Sequence, residues 1–325
     1  MAHTSELSWQ LDGITMYGTF TSPEVDGPFP AVVMVAGSGP TDRNWNSPLL
    51  PGDNGSARLL AEALAQAGMA SLRYDKRASG QHVAENLPAM SGHISMQSHL
   101  DELVAAVGVL AAREGVDTTR IAGLGNSEGC LHVLHYATRP QAIPWAGLVL
   151  TAPPGRAVGE VLLTQLTQQL RTLPDGEALL EMVEAATTRY AQGRPMDPDP
   201  RLPENVRMVL TSFETPANLP FARELWTEGA DQSLADVRLP TLVVIGRKDA
   251  QVDADLDGRP LQDAAAGMDH VTFAFPANAN HVLKAEERSV AEVVASRDLR
   301  YNDPGSRLDP EATDLITSWL RDVLS

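Results

Sequence analysis

Apolar positions along this chain fall into two rhythms. Short apolar runs bounded by turn residues, at 31–36, 69–74, 121–124, 145–151, 241–245 and 271–275, read as buried strands. Between them lie longer stretches whose apolar residues recur at spacings of three and four. These are 56–67, stopped by Gly68; 96–113, with Leu100, Leu103, Val104, Val107 and Leu110 on one face; a helix from Glu128; 261–266; and 310–324, striped by Leu315, Ile316, Trp319, Leu320 and Val323. At 7–21 two extended runs flank Asp12-Gly13, a hairpin signal. Strands alternating with helices predict an α/β protein: a mostly parallel sheet with helices on both faces. Right-handed crossovers place the strands' C-terminal ends along one edge, where ligands bind in such sheets.

The alternation fails once. After Pro153-Pro154, about eighty residues pass before the next strand, where an α/β unit ordinarily spends ~2–6. Helical patterns at 161–170 and 178–191, a proline-rich hinge at 194–203 and helical pieces near Met208 and Phe221 fill the gap. This predicts a helical cap, 156–235, inserted between the two parts of the core, 1–155 and 236–325. The charged segment 284–309 shows no element pattern.

The strand at 121–124 runs into Gly125-Asn126-Ser127-Glu128-Gly129, a G-x-S-x-G, and then into a helix. In that context the serine stands on a strained turn with its Oγ exposed at the sheet edge and the helix N-terminus behind it. A serine nucleophile needs a base and the base needs an orienting acid, in chain order Ser, Asp or Glu, His. Four histidines follow Ser127. His132 and His135 lie on the nucleophile's own helix, and His270 opens a strand at the wrong edge. His281 follows the strand at 271–275, on the correct edge, and is the candidate base. Asp249 directly follows the strand at 241–245 and is the best-placed acid, with Asp253 and Asp255 as competitors. The oxyanion needs donors as well. These are assigned to the backbone N–H of Glu128 and of Ser38, the latter in Gly37-Ser38-Gly39 after the strand at 31–36. The aromatic half of the cap supplies Phe213, Phe221 and Trp226 as candidate walls of an apolar pocket.

Composition narrows the partners. In 325 residues, 25 Lys+Arg face 42 Asp+Glu, a net charge of −17, which argues against nucleic acid or an anionic membrane. One cysteine, Cys130, precludes an intrachain disulfide and reads as a small packing residue. No zinc-type histidine spacing, G-x-G-x-x-G or Gly-Lys-Ser is present, so no metal and no cofactor are expected. The first residues lack a basic and an apolar region, and no apolar run approaches the ~20 residues of a membrane span. The expectation is a cytoplasmic protein; its oligomeric state is open.

Four motifs together resemble the α/β-hydrolase superfamily, in particular bacterial carboxylesterases. They are Ala36-Gly-Ser-Gly-Pro-Thr-Asp-Arg43, Arg73-Tyr-Asp-Lys-Arg77, Gly246-Arg-Lys-Asp-Ala-Gln-Val252 and Asn280-His281. The resemblance covers about 30–155 and 240–325 and implies Ser127 as nucleophile, Asp249 as acid and His281 as base. It departs at Asn126, where the family usually has His, and at Ala78, where it usually has Gly. Asp42 and Arg43 are expected to brace the oxyanion loop. The implied function is hydrolysis of small carboxylic esters through an acyl-enzyme. Thioesterase, amidase, peptidase or acyltransferase chemistry would use the same triad, and a non-catalytic ligand-binding protein could share the scaffold.

Overall fold

Asp12 and Gly13 both adopt left-handed backbone, at φ 50° and 80°, as a tight two-residue hairpin turn requires. They join β1 (His3–Leu11) to β2 (Ile14–Ser22), paired antiparallel from Leu11 and Ile14 outward. In this computed structural model, which describes residues 2–296 and 298–325, the hairpin forms one end of an eight-stranded sheet. The further strands are β3 (Phe29–Val35), β4 (Ala70–Tyr74), β5 (Val116–Asn126), β6 (Gly147–Thr151), β7 (Thr241–Val244) and β8 (Val271–Ala274). Their order is β1-β2-β4-β3-β5-β6-β7-β8. From β4 to β8 every neighbouring pair is parallel. The chain moves from β3 to β4 on one side and returns to β5 on the other. The ends of β3 and β5 therefore flank the point where the strand order reverses, the usual position of a ligand crevice.

The helices are α1 (Ser56–Gln66), α2 (Val83–Met90), α3 (Met96–Ala111), α4 (Gly129–Ala137), the inserted α5 (Val158–Leu170), α6 (Gly176–Ala191), α7 (Glu204–Ser212), α8 (Phe221–Trp226) and α9 (Ala230–Leu234), then α10 (Gly258–Ala264), α11 (Val290–Ser296) and α12 (Pro310–Val323). Strand β3 shows why its sequence is apolar throughout. Ala31, Val33 and Val35 pack with Leu103, Val107 and Leu134 of α3 and α4, while Val32 and Met34 pack with Leu60, Leu64, Ile316 and Leu320 of α1 and α12. Side chains alternate between two buried faces. Helix α2 was not foreseen, because it is short and carries Pro88 in its interior.

The insertion has a core of its own, in which Leu166, Leu170, Leu180, Val183, Tyr190, Leu210 and Trp226 pack together. Val161 and Leu225 within it, like Ala230 and Leu234 of α9, pack instead with the core of the sheet. Polar ties fasten it to the core at both ends. Arg156 makes a two-pronged bond to Asp257, at 3.1 and 3.0 Å. Phe221 N–H donates to Ile94 O at 2.8 Å, and the Glu224 carboxylate accepts from Met96 N–H at 2.6 Å. The unassigned segment 284–309 folds back as a strap. Its anchor is the buried ammonium of Lys284, which donates to Asn54 O, Tyr301 O and Ser306 Oγ at 2.6, 2.5 and 2.7 Å.

Candidate active site

Strand β5 ends at Asn126, and the next residue turns the chain sharply. Ser127 has φ 54°, a strained value for a residue with a side chain. The turn is held by Ser127 N–H to Thr151 O and by Cys130 N–H to Ser127 O, both 2.9 Å. The two flanking glycines are steric necessities. A Cβ at Gly125 would lie 2.6 Å from Cys130 N, and one at Gly129 would lie 2.4 Å from Val35 O. Gly37, following β3, approaches so closely that a Cβ there would stand 3.1 Å from Ser127 Cβ. The loop at Gly37 and the serine turn thus meet at the reversal point of the sheet.

Asp249 and His281 leave the neighbouring ends of β7 and β8. Asp249 is buried. Its Oδ1 accepts from the N–H groups of Gln251 and Val252 at 2.7 and 2.9 Å, and its Oδ2 lies 2.8 Å from His281 Nδ1. A carboxylate can only accept, so the proton of a neutral imidazole sits on Nδ1 and Nε2 keeps its lone pair. His281 and Ser127 line the same cavity, of about 430 Å³. The rival acids are occupied elsewhere: Asp253 accepts from Asp255 N–H and Leu256 N–H, and Asp255 pairs with exposed Arg247. Of the other histidines, His132 contacts Glu128, His135 contacts Glu228 and His270 contacts Val237 O.

The two departures from the family pattern have visible surroundings. Asn126 Nδ2 donates to His281 O at 3.1 Å and to Thr151 Oγ1 at 3.2 Å, tying the histidine loop to the serine strand. Near Ala78 the left-handed position is Gly80, at φ 79°, where a Cβ would lie 2.3 Å from Asp75 Oδ2. Asp42 braces its own loop through Asn44 N–H and Asn46 N–H, and Arg43 binds Asp75.

Behind the serine turn lies a buried ionic cluster. Lys76 Nζ donates to Glu128 Oε1 at 2.5 Å and to Gly37 O at 2.8 Å. Burial opposes charge on Glu128, yet the Lys76 ammonium and a hydrogen bond from His132 hold its carboxyl well below the usual range. Burial pushes His132 down to about 4. Glu102 accepts from Arg77 and His99; burial opposes its charge, but these two partners hold it down to about 2. Cys130 is fully buried beneath the turn, its Sγ 3.2 Å from Gly125 O, and burial pushes the thiol up.

The three candidate wall residues take different places. Phe213 lines the cavity at Ser127. Phe221 lines a second cavity of about 410 Å³, with Ile94, His99 and Lys76, on the far side of Ser38 and Glu128. Trp226 lines neither. Its indole is in the insertion's own core, edge-on to Tyr190 and Phe213 with centroids 4.9 and 5.3 Å away, and fills the space above Gly159. The first cavity takes other walls instead: Leu49 and Leu50 from the loop before α1, and Leu299 and Tyr301 from the strap. Leu49 and Leu50 sit between Pro48 and Pro51, and that apolar pair in a loop was a signal that could have been used. Among the described residues no cluster of three or more His, Cys, Asp or Glu could hold a metal, and no helix is long and apolar enough to cross a membrane.

Comparison with known proteins places this geometry among hydrolases. The profile of the family described as serine aminopeptidase, S33, matches residues 54–288. Esterase EstD of Thermotoga maritima is 26% identical over 305 residues, which make up 93% of this chain and 65% of that protein, so the chain spans just under two-thirds of its relative. Among solved structures, VinJ superposes with a TM-score of 0.60 at 18% identity, covering 98% of this chain and 99% of that one. Proline iminopeptidase of Mycobacterium smegmatis superposes at 0.58 and 16%, with the same coverage. At such identities these two likenesses concern the fold alone.

Proposed function

The chain belongs to the serine aminopeptidase S33 family of α/β-hydrolases, and from that premise we propose that it is a serine hydrolase of small carboxylic esters. The observation that carries the reading is the 2.8 Å bond between His281 Nδ1 and Asp249 Oδ2, with His281 sharing a cavity with Ser127 on its strained turn. Ser127 Oγ attacks the ester carbonyl while His281 Nε2 takes its proton. Asp249 stabilises the resulting imidazolium. The oxyanion is met by the N–H groups of Ser38 and Glu128. Collapse expels the alcohol, which takes the proton from His281. Water, deprotonated by the same imidazole, then attacks the acyl-enzyme; the acid leaves as the imidazolium returns the proton to Ser127 Oγ.

An ester is preferred over a free aminopeptide substrate because of charge. An aminopeptidase site has to recognise an ammonium group. The carboxylate that lines this cavity, Glu128, is already committed to Lys76 and His132. Apart from His281, the remaining polar lining, including Ser47, Asn54, Gln165 and Gln251, carries no ionisable carboxylate or amine. The relative from Thermotoga maritima is named an esterase, which agrees with this choice. The cavity of about 430 Å³ lies within the range for a small ligand and is mainly apolar in its walls. The insertion serves as the cap, limiting access to compact substrates.

The test is labelling and turnover. A fluorophosphonate should modify Ser127 alone, and Ser127→Ala should fold normally and lose turnover by ~10⁴-fold or more. Matched esters, thioesters and amides should be cleaved with the ester fastest. Labelling at another residue, or full activity in Ser127→Ala, would overturn the reading.

A further inference from the structure

We infer that Lys76 is the positioning residue of the oxyanion hole, setting both of its donors at once. The inference rests on the functional reading above and deepens it. Lys76 stands just after β4, is 4% exposed, and touches neither Ser127 nor His281 through a hydrogen bond among its described contacts. Its ammonium makes two bonds, to Gly37 O at 2.8 Å and to Glu128 Oε1 at 2.5 Å. Each of these acceptors belongs to one side of the oxyanion hole.

The first bond acts through a single peptide plane. In a trans peptide the C=O and the next N–H point in opposite directions and rotate together. The carbonyl of Gly37 and the N–H of Ser38 are the two ends of one such unit. A cation holding the carbonyl on one side therefore aims the N–H to the other. It also polarises the unit, which strengthens the N–H as a donor. Ser38 lies between two glycines, so composition leaves this peptide free to turn, and Thr41 Oγ1 holds only the next one, donating to Ser38 O at 2.7 Å.

The second bond acts through a side chain. Glu128 directly follows Ser127, and its backbone N–H is the other donor. Its carboxylate is clamped between Lys76 Nζ and His132 Nε2, at 2.5 and 3.2 Å. That clamp fixes the residue that opens α4. Neither the Ser38 N–H nor the Glu128 N–H has a partner among the described residues, so both are available to an oxyanion. One ammonium thus couples the loop after β3 to the turn after β5, two segments separated by 91 positions if counted from Gly37 to Glu128 (128 − 37 = 91).

The inference is tested by removing the tether without leaving a buried charge. Lys76→Met alone strands the Glu128 carboxylate, so the working variant is Lys76→Met with Glu128→Gln, and Glu128→Gln alone keeps the Gly37 bond. For a small activated ester, the double variant should lose ~10²-fold in kcat, the scale of one impaired oxyanion donor, while KM changes by less than ~3-fold because the ground-state carbonyl gains little from these donors. Affinity for a trifluoromethyl ketone, whose adduct with the serine bears an oxyanion, should fall by the same factor as kcat. Glu128→Gln should lie between wild type and the double variant. A role in stability alone would lower the melting temperature and leave kcat and the ketone affinity of the folded fraction intact. That result, or a loss confined to KM, would overturn the inference. Full turnover in Ser127→Ala would overturn the functional reading instead, whatever the Lys76 variants did.

Discussion

On the sheet side of the cavity, Ser127, Asp249 and His281 each stand just beyond the end of a hydrogen-bonded strand. On the insertion side, Val161, Leu162 and Phe213 stand on helices or at a helix end, held by side-chain packing. The first arrangement is directional. Thr151 O grips the Ser127 N–H, Asn126 grips the His281 carbonyl, and two N–H groups grip Asp249. The second is a matter of volume: Leu166, Leu170, Val183, Tyr190 and Trp226 fill the insertion's own core. Hydrogen bonds fix reacting atoms to tenths of an ångström, as acyl transfer requires. Packing only shapes the space that remains. Substitutions should therefore act differently on the two sides.

The largest expected effect is on the sheet side. Asp249→Asn should reduce kcat by ~10⁴-fold with a nearly unchanged melting temperature, because the tautomer and the imidazolium both lose their partner. Asp253→Asn, which disturbs only a loop, should remain within ~3-fold of wild type. Steady-state kinetics on both variants decides the identity of the acid; the reverse ranking would transfer the role to Asp253.

On the insertion side the corresponding variant is Trp226→Ala. It should cost ~3–5 kcal/mol of local stability, as a buried indole lost from a core does, and should leave relative kcat/KM for short and longer acyl esters unchanged where the protein is folded. Denaturant unfolding and a chain-length series measure the two quantities. A shift in preference without loss of stability would return Trp226 to the pocket wall.

A third expectation concerns pH and the ground between the two regions. His132 has a folded pKa of about 4 against an ordinary 6.5. The unfolded chain binds its proton first as pH falls. The stability contributed is therefore full above about 6.5 and is lost as pH falls towards 4. Its size is on the order of 3 kcal/mol, and Glu102, held down to about 2, extends the loss below 4.5. His132→Gln should flatten the upper part of the profile, measured by urea unfolding between pH 7 and 4.5; an unaltered slope there would assign the effect to other groups.

Smaller still are the walls. Phe213→Ala should alter the ratio of kcat/KM between short and longer acyl esters by ~1–3 kcal/mol at most, and Leu49→Ala, at an exposed rim, by less. Equal and unchanged profiles in both would show that substrates do not extend toward either wall.

The same contrast governs what could be read in the chain. The elbow at Gly125–Gly129 was legible because its chemistry is local: strand, strained serine, two glycines that close packing demands. Asp249 and His281 were legible because parallel topology sends residues after adjacent strands to one edge. The walls were not. Trp226 and Phe221 are equally aromatic and only five residues apart, and helical periodicity does not tell which of two packed surfaces each one meets. The strap carrying Leu299 and Tyr301 was hidden for a different reason. Its order comes from Lys284 binding oxygens of Asn54, Tyr301 and Ser306, a long-range polar anchor without a periodic signature. Lys76 was visible only as part of the motif Arg73-Tyr-Asp-Lys-Arg77; its two acceptors lie on other segments of the chain.

Cys130 offers a practical gauge. It is the chain's single thiol, sealed beneath Ser127 with no surface and with its ionisation disfavoured by burial. Alkylating reagents need an exposed thiolate. Modification can therefore proceed only when the packing around Cys130 opens, and every labelled molecule records one such excursion. The rate of alkylation over time is a clock for breathing at the root of the elbow, read at one atom without any engineered probe. A ligand that closes the cavity should slow that clock, and a variant that loosens the turn should hasten it.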